Sequence, residues 1–293
     1  MLILISIGIV MIYSASGTYA LNRYKDSMFF LKRQTLFFIL GISLFTLILF
    51  FDYRLLSNFS KPLVFLGILL LILVLIPGIG REVAGARRWF RLGYFNFQPS
   101  ELANLATIIY LADYLRRKEK IIKDFLWGLL PYLLILGLVA GLVLLEPDFG
   151  NAMNLVIVGL ILLFIAGARI KHILSIILLG IPLVFLLIMH TGYRKSRILA
   201  FLNPWQDPKG SGFQLIQSQI ALGSGGLWGT GLGSSRQKLF YLPAAHTDFI
   251  FSIIGEELGL LGTLGVLFLF LLFLHQALKI AKNTNDRFGY FLG

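Results

Sequence analysis

"AAHTDFIFSIIGEELGLLGTLGVLFLFLLFL", residues 244–274, joins His246, Thr247 and Asp248 directly to an apolar run. After Glu256 and Glu257 the run continues from Leu260 to Leu274 without a charged residue. Apolar helices of about 20 residues match the hydrocarbon thickness of a bilayer. A carboxylate at the mouth of such a helix calls for a reason, and the rest of the chain supplies the setting. Of its 293 residues 57% are hydrophobic and only 14% charged, and the mean hydropathy is +0.83. A water-soluble domain of this size has too little interior to hide that much apolar surface.

Seven further apolar segments precede this one, giving spans at 2–18, 34–51, 61–78, 98–115, 126–146, 149–167, 172–190 and 248–278. Backbone groups in lipid must be satisfied within each segment, so the expected fold is all-α, a polytopic transmembrane helix bundle of eight spans. Residues 1–293 then form a single integral membrane domain. The first span has neither a basic leader nor a small-residue cleavage site, and reads as a retained helix. Connections are short except 79–97 and the 57-residue loop 191–247. The aromatic residues Trp205, Phe213, Trp228, Phe240 and Tyr241 in the second predict that it folds back onto the protein.

The absence of cysteine excludes disulfides and thiolate metal sites. The formal charge of +12 points to anionic headgroups or an anionic substrate. Nucleic acid is a poor partner, because the basic residues are scattered over the loops between spans. Span parity puts Arg87, Arg88, Glu101, Glu146, Asp148 and Asp248 on one side of the membrane. With loop 191–247 set aside, that side holds 8 Lys and Arg against 12 on the other, which places Asp248 outside the cytoplasm.

Several polar groups admit two readings. Pro99 and Glu101 suit the first turn of a helix, where an acid meets the positive end of the dipole; a direct chemical role for Glu101 is the alternative. Asp148 can cap span six, while Glu146 is an ionisable group near the membrane surface with no such explanation. Arg87 and Arg88 beside Trp89 suit either a pyrophosphate or interfacial anchoring. "GSGGLWGTGLG", residues 223–233, holds six glycines but has no strand before it, so a dinucleotide fingerprint is excluded. Its glycines allow sharp turns and close backbone approach, or a flexible lid. Arg236 and Lys238 follow and can meet phosphate. Asp248 can cap span eight, or face a ligand over Ser252, Gly255 and Gly259. With His246 it makes half of a metal site.

"FQPSEL" at 97–102, "EPDFG" at 146–150, "NPWQDPKGSGFQLIQSQIALGSGG" at 203–226 and "GTGLGSSRQKLFYLPAAHTDFIFSIIGEELG" at 229–259 together resemble the SEDS family (shape, elongation, division and sporulation). "GLGSSRQKLFYLP" is more similar to its division members than to its elongation members. The resemblance implies a peptidoglycan glycosyltransferase that polymerises lipid II on the outer face of the bacterial cytoplasmic membrane, with Asp248 as the essential aspartate. It also implies a class B penicillin-binding protein as partner. Arg87, Arg88, Trp89, Glu101, Glu146, Arg194, Lys195, Gln217, Arg236, Lys238 and His246 are then the expected lipid II contacts. A divalent cation, Mg or Mn, can assist the leaving pyrophosphate. Family members have ten spans, so the chain is expected to stop two spans short, and Ala244 stands where the family usually has glutamate. A lipid II flippase and a noncatalytic division scaffold are the competing readings. The clustering of polar groups on one face, away from the midplane where transporter sites sit, favours the enzyme.

Overall fold

The computed structural model describes residues 1–83, 85–93, 95–239 and 241–293. Its helices are α1 (Leu2–Tyr24), α2 (Phe29–Leu49), α3 (Leu55–Leu75), α4 (Pro99–Lys118), α5 (Leu130–Leu145), α6 (Phe149–Ile165), α7 (Ile170–Met189), α8 (Gly192–Leu202), α9 (Phe213–Ser224), α10 (Ile250–Asn283) and α11 (Arg287–Leu292). A helix lies at each expected span, with ends shifted by a few residues; α5 is preceded by a π-helical turn at Phe125–Leu129. Six of the segments are long and apolar enough to cross a membrane. The exceptions are α6, with 17 residues, and α4, which carries Glu101, Asp113, Arg116, Arg117 and Lys118.

The fold is not purely helical. Residues 79–97, expected as a plain connection, contain a three-stranded antiparallel sheet of β1 (Arg81–Val83), β2 (Ala86–Leu92) and β3 (Phe95–Phe97). Arg81 pairs with Trp89 and Glu82 with Arg87; Phe90 pairs with Phe97. The cause is local. Aromatic and branched residues between glycines favour short paired strands, and Gly85 and Gly93 take the positive φ values, 78° and 60°, of the two reversals.

The chain divides into two compact units. The first comprises Met1–Phe50 and Pro182–Gln276. Its core gathers Met11, Ala15, Leu242, Ala245, Ile253, Ile254 and Val266. No residue of α2 is buried, as expected of a helix that faces lipid. The 191–247 segment folds back onto its unit as expected, with Leu242 and Ala245 in the core and Phe213 half-buried. Trp205, Trp228 and Tyr241 are exposed, Phe240 lies outside the described residues, and backbone hydrogen bonds to α10 do most of the fastening.

The second unit comprises Phe51–Ile181 and Ala277–Gly293. Helices α3 and α4 pack closely through small residues: a Cβ added at Gly67 would sit 3.0 Å from the Ala103 Cα. Asp113, only 2% exposed, is held by the Ser60 hydroxyl at 2.7 Å and by Arg116 and Arg117 at 2.8 and 3.0 Å. Leu71, Leu111, Leu115, Tyr132, Leu136, Leu155, Leu163 and Phe288 fill the core.

Candidate active site

In the first unit the geometry begins with Gly259. It interrupts α10 with φ 68° and ψ −164°, which only glycine adopts without strain. The break leaves carbonyls above it and amides below it without helical partners. The glycine-rich segment takes both. Thr230 and Gly231 donate N–H to the Glu256 and Glu257 carbonyls at 2.9 and 3.0 Å, and Leu260 and Leu261 donate to Gly226 and Leu227 at 2.9 and 3.3 Å. A Cβ at Gly225 or Gly229 would overlap the carbonyl of Gly255 or Glu257. These glycines therefore serve close backbone approach, not a free lid.

The two side chains at the break complete the clamp. Glu256 accepts from the Ser235 hydroxyl and from the Arg236 amide at 2.8 Å. Glu257 accepts from Lys238 at 2.7 Å and from Ser14 at 2.8 and 2.7 Å, and Lys238 also donates to Ser14 at 3.1 Å. Both glutamates and Lys238 are buried. A buried ion pair is tolerated when its remaining hydrogen-bonding capacity is met, and removing one partner costs about 3–5 kcal/mol. Sequence reasoning assigned Lys238 to substrate and passed over Ser14, Ser235, Glu256 and Glu257. The signal was present in two adjacent acids inside an apolar run.

The clamp fixes residues 235–238 against α10, so the return to Ile250 is a short tethered loop. Ala244 turns it with φ 56°, and its carbonyl accepts from the Thr247 amide at 3.0 Å and hydroxyl at 3.2 Å. His246 stacks on Tyr19 at 5.3 Å and meets Phe30 at 4.5 Å. Burial lowers its pKa, and the Asp248 charge opposes that in part. Lys238, Leu242, His246, Thr247, Ala15 and Tyr19 line a cavity of about 450 Å³. Asp248 is exposed. It forms no ion pair and accepts no backbone N–H among the described residues, so the capping reading is not realised.

Arg236 and Lys195 are exposed. Arg194 donates to the Leu187 carbonyl at 3.0 Å, and Gln217 is half-buried on α9. Among the described residues no three His, Cys, Asp or Glu side chains converge on one point.

In the second unit the structure brings Arg88, Glu146 and Asp148 together and leaves Glu101 exposed on the first turn of α4. Arg88 donates to the Glu146 and Pro147 carbonyls, each at 2.7 Å, and lies 3.7 Å from Asp148. Asp148 caps α6 through the Asn151 amide at 3.2 Å. Gln98, in front of α4, donates to Ser100 and Asp148 at 2.9 and 3.2 Å. Arg87 pairs with Glu82 across β1 and β2 at 3.2 Å, and Trp89 is half-buried. Glu146, in the turn just past α5, is fully buried, and neither carboxylate oxygen has a hydrogen-bond partner. Burial, then the neighbouring Asp148 charge, push its pKa from the usual 4.5 up to about 7, against the opposing charge of Arg88.

Residues 1–293 match the family described as "Cell cycle protein", which is named for FtsW, RodA and SpoVE. The chain belongs to this family. Among SEDS relatives, the probable peptidoglycan glycosyltransferase FtsW of Trichlorobacter lovleyi is 47% identical over 289 residues, covering 99% of this chain and 76% of that protein. Stage V sporulation protein E of Bacillus subtilis is 44% identical over 291 residues, covering 99% and 80%. The rod shape determining protein RodA of Thermus thermophilus aligns with a TM-score of 0.67 at 28% identity, over 99% of this chain and 77% of RodA. A chain from a study of how a peptidoglycan synthase complex coordinates polymerization and crosslinking aligns with a TM-score of 0.74 at 28% identity, over 99% and 80%. This SEDS chain is thus a multi-pass membrane protein of the cell-cycle machinery.

Proposed function

We propose that this SEDS protein is a peptidoglycan glycosyltransferase that polymerises lipid II during cell division. The observation that carries the reading is Asp248: an exposed carboxylate without an ion pair, on a loop clamped to α10, at the mouth of a membrane helix. The names of its FtsW relatives support the reaction class. Asp248 accepts the proton of the attacking sugar hydroxyl. That oxygen forms a bond to the donor's anomeric carbon as the bond to the polyprenyl pyrophosphate breaks, with inversion. General-base help of this kind is worth roughly 10²–10⁴-fold. Lys195, Arg236 and His246 are the lipid II contacts we favour in the first unit, while Lys238 holds the loop that carries Asp248. In the second unit Arg87, Trp89, Glu101 and Glu146 remain candidates, and Arg88 orders the α5–α6 turn.

In this reading residues 1–293 are one integral domain that crosses the bacterial cytoplasmic membrane eight times, with 191–247 and Asp248 outside. A class B penicillin-binding protein crosslinks the product. The synthase-complex neighbour supports that partnership. The test supplies purified protein with lipid II in detergent, where a flippase has no task. Glycan strands are the expected product, and none from folded protein would overturn the reading.

A further inference from the structure

Within the second unit, Glu146 and Asp148 in the α5–α6 turn meet Arg88 of β2 at one end of α4, α5 and α6. The opposite end, about 30 Å away along a helix of this length, has a different character. There the α4–α5 connection, the α6–α7 connection and the start of α7 border an open pocket of about 510 Å³ lined by Lys120, Lys123, Asp124, Phe125, Arg169 and His172. We propose that this cavity binds the phosphate of an anionic lipid headgroup.

Charge is the first reason. Lys120, Lys123 and Arg169 have no ion pair among the described residues, whereas neighbouring Glu119 is paired with Arg287 at 3.1 Å and Asp113 with Arg116 and Arg117. Asp124 is the one acid in the lining, and one of its oxygens accepts the Trp127 amide at 2.9 Å, where it caps the turn that starts α5. The lining is therefore net positive. The second reason is an unmet hydrogen-bonding atom. His172 Nδ1 is buried and lacks a partner, while its ring packs edge-on against Phe125 at 5.6 Å. A phosphate oxygen can reach the exposed Lys120, Lys123 and Arg169 directly, and a bond to the His172 Nδ1 requires its ring to turn toward the pocket.

Position identifies the carrier. The candidate span Phe125–Leu145 begins at the cavity, and Phe125, Leu126 and Trp127 are exposed beside it. Tryptophan flanked by basic residues belongs at headgroup depth, and basic pockets at the ends of spans are where phosphate headgroups dock. The inference does not depend on the reaction proposed for Asp248.

The test measures binding of dioleoylphosphatidylglycerol in mixed micelles, with dioleoylphosphatidylcholine as the neutral comparison. A Lys120→Gln/Lys123→Gln/Arg169→Gln variant should bind phosphatidylglycerol at least about tenfold more weakly than wild type. A Lys61→Gln/Lys279→Gln/Lys282→Gln control, with the same charge loss elsewhere, should keep wild-type affinity. If the triple variant does not accumulate, Lys123→Gln alone should weaken binding about threefold. Equal weakening in the pocket and control variants, or none in the pocket variant, would overturn the proposal. Displacement of the lipid by millimolar inorganic phosphate would assign the cavity to a free anion and overturn the lipid carrier.

Discussion

Ala244 holds φ at 56° immediately before His246-Thr247-Asp248. A residue with a Cβ pays for that conformation, and glycine does not. Ala244→Gly should therefore raise stability by about 1 kcal/mol, seen as a higher melting temperature, whereas Ala244→Val should lower it. Glu146 carries a titration with a definite sign. Its folded pKa of about 7 lies above the usual 4.5, so the folded protein keeps a proton that the unfolded chain releases. Stability is then highest below the unfolded value and falls as pH rises through the folded one. The melting temperature should drop between about pH 5 and pH 8, and Glu146→Gln, which mimics the protonated acid, should remove that component. A wild-type curve that rises over this interval would contradict the burial argument. The exposed first-turn Glu101 and the capping Asp148 were legible from their neighbours. Glu146 was legible only as an unexplained acid, because its burial comes from helices distant in sequence.

At the scale of elements, length and hydropathy placed a helix at each of the eight expected spans, since a lipid-facing helix must be apolar throughout. What the pattern could not show was the break inside α10. Gly259 follows Glu256 and Glu257 inside a helical apolar run, and its partners Gly225 to Gly231 lie some thirty residues earlier, joined through backbone atoms that leave no mark on hydropathy. The sheet at 81–97 was missed for the opposite reason: its strands are three to seven residues long, too short to stand out beside spans. The clamp separates two glycines that look alike in sequence. Gly229→Ala places a Cβ on the Glu257 carbonyl at positive φ and should cost roughly 2–4 kcal/mol. Gly223→Ala, on an open face of α9, should be neutral or stabilising by up to about 1 kcal/mol. Thermal melts of the two variants check the difference; equal melts would mean that the glycine-rich segment is free.

Orientation and reaction belong to the whole molecule. The chain has no cysteine, so single reporters are simple to place. A cysteine replacing Ser211 should react with an impermeant thiol reagent in intact cells, and one replacing Lys120 should not. The reverse pattern would remove the extracytoplasmic enzyme. The measurement that bears most directly on the reaction is lipid II polymerisation by Asp248→Asn, with melting temperature as the folding control. Asn keeps the size of the side chain and its capacity to cap a helix, and loses the charge and basicity. At an unchanged melting temperature, kcat should fall by at least about a hundredfold. Wild-type kcat in normally folded Asp248→Asn would show that Asp248 is not the base.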